Sequence, residues 1–584
     1  MNRTNNTCTS KNVLLLNCLY VAASVMFFFI ATVSILLLIQ QRELSSSFPP
    51  DFKELEQMKE TARTESTNID LQKKIRKLDL ISRSGWFLGH EWQKKAVGLL
   101  FAGIVVLIIC MNVISAIKPV QIDIKSVKPE KRYPGSEVLA LIVLASTCVI
   151  SVNGFLFFTS AANSATGKTL NTDNAESQLK AEKTSAAEIV TREEFNLNWP
   201  SFRGSNNDGV SLVQKPIFGW SKDSQKGILW KTETPLPGFS SPIVWKNQLF
   251  ITGGDKTHRK IFCYDAATGK LLWEHEATGI PGSPATVPEV SKDTGYAAST
   301  PSTDGNRVFA MFATGDLIAV DLQGKRLWAK NLGVPKNMYG YCSSLLTVGN
   351  RLVVQYDNED KQVLYCFDTV TGSTIWQQER KAIISWSSPT LCSFDKKDLI
   401  ITLNCSEVEA FDLSSGKKEW TQKVMGGEVA PSATCRGSTV FAANENACAA
   451  AIDASTGKLL WKNDKAILPD VCSPVVFEDV LFLFTSASAI SCLDTSTGKL
   501  LWEKDVENGF YSSPIVLKNR IMAFDLKGKM LIIKPDKKEL IIEHQESLGE
   551  GVLSTPAVVG NKMWVRGSKL LFCLTGTEEN SADR

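Results

Sequence analysis

Three sets of side chains in this 584-residue sequence have types suited to chemistry: its histidines, its cysteines and a recurring series of hydroxyls. The histidines His90, His258, His275 and His544 stand far apart, with no partner at the spacing a metal site uses, so no metal is expected. No two of the fourteen cysteines are adjacent and no C-x-x-C pair occurs. Neither a zinc site nor a disulfide framework can be read from that spacing. G-x-S-x-G and H-E-x-x-H are both missing, and no catalytic residue is assigned. The hydroxyls are more regular. Ser240-Ser241-Pro242, Ser299-Thr300-Pro301, Ser343-Ser344, Ser387-Ser388-Pro389, Pro431-Ser432, Ser473-Pro474, Ser512-Ser513-Pro514 and Ser554-Thr555-Pro556 recur along the C-terminal two thirds. Arg203 and Asp208 sit just upstream, either as a ligand-binding pair or as a structural clasp.

A repeat must position these residues. Its clearest copy runs Ala451-Ile452-Asp453-Ala454-Ser455-Thr456-Gly457-Lys458-Leu459-Leu460-Trp461, with a near duplicate from Cys492 to Trp502. Further copies are Cys263 to Trp273, Ala319 to Trp328 (one residue shorter), Cys366 to Trp376 and Ala410 to Trp420. Trp230, Trp273, Trp328, Trp376, Trp420, Trp461 and Trp502 are spaced by 43, 55, 48, 44, 41 and 41 residues, and Ile542 stands where the next tryptophan belongs. That period suits a four-stranded propeller blade. Asp-x-x-Thr-Gly-Lys is hairpin chemistry: Asp bonds the turn backbone, and Gly269, Gly372, Gly416, Gly457 and Gly498 supply a positive φ. The tryptophans then dock on neighbouring blades, and the small Cys263, Cys366, Cys492 and Cys573 pack as free thiols. Eight blade starts are present, but the last blade runs out after Leu574 without an outer strand. The strand around Trp230 supplies it and closes the ring, removing two exposed sheet edges. The expected fold is therefore an all-β eight-bladed propeller over residues 196–575, with a tail at 576–584. Ser240, Ser299, Ser343, Ser387, Ser432, Ser473, Ser512 and Ser554 are candidate channel-lining residues. A ligand such as a sugar is one reading of them, and the start of a packed inner strand is the plainer one.

An α-helical membrane region is expected ahead of the propeller. After a tail at 1–12, uncharged apolar runs at 13–39, 96–117 and 138–158 are each long enough to cross a hydrocarbon core of about 30 Å. The loop at 40–95 is charged, with apolar residues at helical spacing, and that at 118–137 is basic. Lys and Arg are nearly balanced between the two sides, so charge alone does not orient the chain. Residues 159–195, rich in Ala, Ser, Thr, Asn, Lys and Glu, read as a flexible tether. Net charge is +3, from 64 basic and 61 acidic residues, which gives no footprint for nucleic acid.

The pattern Ala451-x-Asp453-x-x-x-Gly457-Lys458-x-x-Trp461 resembles the tryptophan-docking repeat of the PQQ-like propeller superfamily. Trp199-Pro200-Ser201-Phe202-Arg203-Gly204-Ser205-Asn206-Asn207-Asp208-Gly209-Val210-Ser211 looks like the opening of a bacterial branch. Two kinds of relative follow from the resemblance. Quinoprotein dehydrogenases hold PQQ and calcium in the channel beside a disulfide of adjacent cysteines, with an aspartate as base. The propeller lipoprotein of the outer-membrane β-barrel assembly machinery is a non-enzymatic, protein-binding scaffold. Without the adjacent cysteine pair, the expectation is a scaffold with no cofactor and an envelope protein as partner. A PQQ-dependent alcohol or sugar dehydrogenase and a small-molecule sensor are the alternatives. Members of the superfamily mostly work outside the cytoplasm. The resemblance therefore implies a bacterial inner-membrane protein with an extracytoplasmic propeller. Oligomeric state and redox state of the cysteines are not read from the sequence.

Overall fold

The computed structural model describes residues 190–211, 214–381 and 384–576, with single helical positions between 24 and 107. The three expected membrane segments, the loops between them and the tail from 577 lie outside the described residues, those single positions aside. Among the described residues no helix is long and apolar enough to cross a membrane.

Hairpin chemistry repeats along the chain as expected. In blade 1, strands Ile243–Trp245, Gln248–Gly254, Arg259–Asp265 and Leu271–Glu276 form one antiparallel meander from the channel outward. Six further blades follow, at residues 302–331, 346–379, 390–422, 434–463, 475–505 and 515–547. Blade 8 has three strands of its own, ending in Leu570–Thr575, and takes its fourth from the other end of the domain. Strand Ile228–Glu233 pairs antiparallel with it, Trp230 opposite Cys573 and Glu233 opposite Leu570. The ring closes as the repeat arithmetic requires, and its last edge is covered.

The core lies between blades. Successive residues of a strand point to opposite faces, and here both faces are buried. In blade 1, Leu249, Ile251, Phe262 and Tyr264 pack toward blade 8. Phe250, Ile261 and Cys263 pack toward blade 2 with Val308, Ala310 and Ile318. The middle strands therefore read as near-continuous apolar runs. The outer strands bury one face only, as in the alternating pattern of Ile228–Glu233.

Seven of the eight blades are bolted to the next at the rim. The indole N–H of Trp420 donates to the Ala454 carbonyl at 2.7 Å, and that of Trp461 to Thr495 at 2.7 Å. Trp230, Trp273, Trp328, Trp376 and Trp502 donate in the same way to Ala266, Leu322, Thr369, Leu413 and Asp536. The indole lies on the glycine of the receiving turn. A Cβ on Gly457 (φ +71°) would sit 2.6 Å from Trp420, and one on Gly498 2.4 Å from Trp461. Gly269, Gly372 and Gly416 take the same place under Trp230, Trp328 and Trp376. Gly324 does so under Trp273, a position hidden by the one-residue deletion in its repeat. The turn aspartates are tied down too: the Ser496 and Thr497 hydroxyls hold the Asp494 carboxyl down to about 2.

Blade 7 lacks this bolt. Blade 8 has no outer hairpin turn, because its third and fourth strands come from opposite ends of the domain. A tryptophan on blade 7 would have no glycine to meet. Spacing in the sequence points to Ile542 for this place, but the strand register puts His544 there, opposite Ile532 as Trp502 is opposite Cys492, and Ile542 falls two residues earlier, where Leu500 stands in blade 6. The chain leading to Trp230 fills the gap instead. Phe218 stacks on His544 with centroids 4.3 Å apart, and Trp220 is fully buried.

Docking predicts a contrast between two glycine substitutions. Gly349, at φ +56°, would place a Cβ in open space, with nothing within 4 Å. Gly349→Ala pays left-handed strain alone, about 1–2 kcal/mol. Gly457→Ala adds the clash with Trp420 and should lose a further ~1–3 kcal/mol. Denaturation midpoints followed by tryptophan fluorescence test the difference, and equal losses would mean that the indole contact contributes little.

Candidate functional site

A propeller channel is lined by its inner strands, so the blade starts and whatever enters the channel form the candidate site. The blade-start hydroxyls fall into two sets. In the first, each backbone amide donates to a hydroxyl of the next blade: Ser241 to Thr300 (2.9 Å), Thr300 to Ser344 (3.2 Å), Ser344 to Ser388 (2.8 Å) and Ser388 to Ser432 (2.8 Å). The series continues from Ser432 to Ser473 (3.0 Å), Ser473 to Ser513 (3.1 Å) and Ser513 to Thr555 (3.1 Å). Thr555 then donates to Ser241 at 2.9 Å, and the circle is complete.

The eight candidate channel residues fall on both sets. Ser432 and Ser473 belong to the circle. Ser240, Ser299, Ser343, Ser387, Ser512 and Ser554 precede circle members by one residue, and all are buried. Four of these hydroxyls bond to backbone: Ser240 to Thr252, Ser299 to Ser343, Ser387 to Leu403 and Ser554 to Arg566. Sequence reasoning missed the second hydroxyl of each pair. The doubled Ser-Ser and Ser-Thr spelling was the signal, since a lone strand-starting residue would not need to be double.

The motif at 199–211 lies in the channel. Residues 191–195, assigned to the tether by composition, belong with Asn196 to a short helix, Arg192–Asn196, whose N-terminus is capped by Thr191. Beyond it the chain bonds to every blade in turn. Trp199 exchanges two backbone bonds with Val244 of blade 1, and the Pro200 carbonyl accepts from Thr303 of blade 2. The Asn207 amide donates to Leu345 at the start of blade 3 and to Pro389 at the start of blade 4. The Asp208 carbonyl accepts from Thr434 of blade 5. Arg203 donates to the Ala433 carbonyl and, at 2.6 Å, to the Pro474 carbonyl of blade 6. Val210 pairs in parallel with Val516 of blade 7, and Gln214 accepts from Gly560 of blade 8.

Arg203 is the centre of this clasp. It is fully buried, and burial pushes its guanidinium down to about 10, still protonated at neutral pH. Its partners are carbonyls, including those of Asn207 and Asp208. The Asp208 carboxylate instead accepts from the Asn206 amide and the Val210 N–H. Arg203 and Asp208 thus belong to one structural clasp and are not a direct ion pair. Gly209 must be glycine: at φ +78°, a Cβ there would lie 2.6 Å from the Arg203 guanidinium.

A second buried charge cluster joins blades 3 and 4, and no motif announced it. Arg380 bonds Asp357 and, at 2.8 Å, Glu409, which also takes Lys418 at 2.6 Å. Gln355 bridges from Asp357 to the Leu403 carbonyl. Arg566 similarly ties blade 8 to blade 1 through Ser240 and the Thr252 carbonyl. These groups act within the scaffold. Cys263, Cys366 and Cys492 are buried opposite Trp273, Trp376 and Trp502, and all ten described cysteines are free. Among the described residues no three His, Cys, Asp or Glu side chains converge as metal ligands.

The clasp predicts a coupled pair of substitutions. Arg203→Ala leaves four carbonyls without a charged donor and should cost about 3 kcal/mol or more. Gly209→Ala should be similarly damaging alone, yet cost only the ~1–2 kcal/mol of left-handed strain once Arg203 is alanine. A double-mutant cycle from denaturation midpoints measures the coupling, and strict additivity would remove the clasp.

The comparisons with known proteins follow this geometry. A family model described as "Outer membrane protein assembly factor BamB" matches residues 160–340, 404–471 and 448–570. Among solved structures, a europium-containing methanol dehydrogenase aligns at 10% identity and TM-score 0.50, over 66% of this chain and 99% of that one. The quinohemoprotein alcohol dehydrogenase of Comamonas testosteroni aligns at 11% and 0.50, over 68% and 83%. BamB from Moraxella catarrhalis aligns at 14% and 0.45, over 60% and 99%. At these identities the likeness is one of fold. A search of curated proteins returns no match. The matched model covers more than half of the sequence, and the chain belongs to the PQQ-like β-propeller family that it describes.

Proposed function

We propose that the chain is a membrane-anchored PQQ-like propeller that works as a protein-binding scaffold in the bacterial envelope. The anchors are the three apolar runs at 13–39, 96–117 and 138–158, and the propeller lies outside the inner membrane. The observation that carries this reading is the clasp. Residues 199–211, together with Gln214, bond to all eight blades, and the blade-start hydroxyls of the channel are largely engaged in scaffold bonds. Polar groups committed to scaffold are poor ligand hooks, because breaking such bonds costs what a ligand would gain. The family description, an assembly factor, is consistent with a binding role.

Recognition then falls to the loops. Two long connections, between Glu276 and Ser302 and between Asn331 and Leu346, break the eightfold regularity. They pack on each other: Ser291 and Thr294 both bond the Tyr339 carbonyl, and Gly340 lies against Val290. Tyr339 meets Trp386 edge-on at 5.2 Å, and the Trp386 indole donates to Asn337. The outer part of this loop pair exposes Pro281, Ala285 and Val334, an apolar and stiff surface suited to protein contact.

Three measurements test the proposal. Alkaline carbonate should leave the full chain in the membrane pellet. Protease added to intact spheroplasts should digest the propeller. Site-specific photocrosslinkers at Ala285 and Val334 should trap one envelope protein, while the same probe at Lys465, on another blade, should not. The dehydrogenase reading makes the opposite forecast. Purified chain supplied with PQQ and calcium would oxidise alcohols or aldoses with an artificial acceptor, and clear turnover would replace the scaffold with an enzyme.

A further inference from the structure

Two cysteines face one another across a blade seam. The inner strand of blade 4, Thr390–Phe394, alternates its side chains: Leu391 packs toward blade 3 and Cys392 toward blade 5. The inner strand of blade 5, Thr434–Arg436, returns Cys435 into the same cluster from the other side. Both thiols lie in the apolar cluster between these blades, and the Cys392 thiol points across the seam at the carbonyl of Gly437, two residues beyond Cys435, 3.9 Å away. The other cysteines of the inner and middle strands are differently placed. Cys263, Cys366 and Cys492 face their own blade's tryptophan, and Cys472 donates to the Ser512 carbonyl at 3.4 Å.

We propose that Cys392 and Cys435 are a redox-active dithiol that closes into a disulfide across the seam of blades 4 and 5. Cys392 is fully buried, whereas Cys435 is only half-buried, next to an exposed turn. Cys435 is therefore the entry point. Its thiolate attacks a small disulfide such as oxidised glutathione, forming a mixed disulfide and releasing one glutathione thiol. Cys392 then attacks the Cys435 sulfur and releases the second. Two protein thiols lose two electrons and two protons, and one oxidised glutathione becomes two thiols. Burial holds the Cys435 thiol well above its usual range, so the exchange is slow at neutral pH.

The place of the bridge gives it a consequence. Thr434 and Ala433, the neighbours of Cys435, are the blade 5 anchors of the clasp. A disulfide here would lock the seam beside that anchor and close a loop of about forty residues. Its formation in the cell rests on the proposed extracytoplasmic location. The capacity to form it does not, and the test below is independent of location.

Full-length protein in detergent is equilibrated with oxidised glutathione at mildly alkaline pH, denatured, alkylated and mapped by mass spectrometry. The expected result is one cross-link joining residues 392 and 435, with the other eight described propeller cysteines alkylated. C392S and C435S should each abolish it. The bridged protein should unfold at a higher temperature than the reduced form, and the C392S/C435S protein should be indifferent to the oxidant. Oxidised protein of unchanged circular dichroism without that cross-link, or with Cys435 bridged elsewhere, would overturn the proposal.

Discussion

A backbone amide that reaches into the next blade and finds a hydroxyl there is the contact on which this propeller depends. Repeated eight times it returns to its own beginning, from Thr555 to Ser241. A closed series of this kind fixes the number of blades. With seven or nine, the angle between neighbours changes and each bond of about 3 Å opens or collides. Such bonds are individually worth about 1 kcal/mol. They are buried, however, and an amide left without its acceptor there costs more than the bond returns. The tryptophan bolts at the rim act in parallel at larger radius, so every pair of neighbouring blades bar one is held at both ends.

The exception is instructive. Between blades 7 and 8 the rim has no turn to receive an indole, because the last blade is assembled from two distant pieces of chain. The sequence answers with His544 and supplies aromatic surface from the incoming segment, as Phe218, which stacks on that imidazole, and Trp220. Loss of a motif residue is here a consequence of closure, not of drift.

Rim chemistry was largely legible in the sequence. Asp, Gly and Trp stand at fixed offsets, and each has a local physical reason, so the repeat, the eight blades and the closing strand around Trp230 could be read directly. Gly324 escaped because a single deletion shifted its frame. The channel was far less legible. Ser241, Thr300 and Ser513 differ from Ser240, Ser299 and Ser512 only by one step along the chain, and which hydroxyl crosses the seam is decided by strand direction. The partners of Arg203 are carbonyls, which every residue has, so no spacing could reveal them. The Arg380, Asp357 and Glu409 cluster brings together side chains from two blades whose sequences show no common pattern.

Closure by the strand Ile228–Glu233 also sets a schedule. A ribosome makes this strand first among the blade strands and its partner, Leu570–Thr575, last. For most of synthesis the strand has no neighbour, and the clasp ahead of it is short of anchors, since its bonds to Pro474 and Gly560 join residues 271 and 346 positions apart. Contacts of such sequence separation form late and slowly. Until the final residues emerge, an unpaired strand edge and a row of apolar blade faces stay open to other chains. The finished ring hides its seam well, and the growing chain has to be shielded until that seam can form.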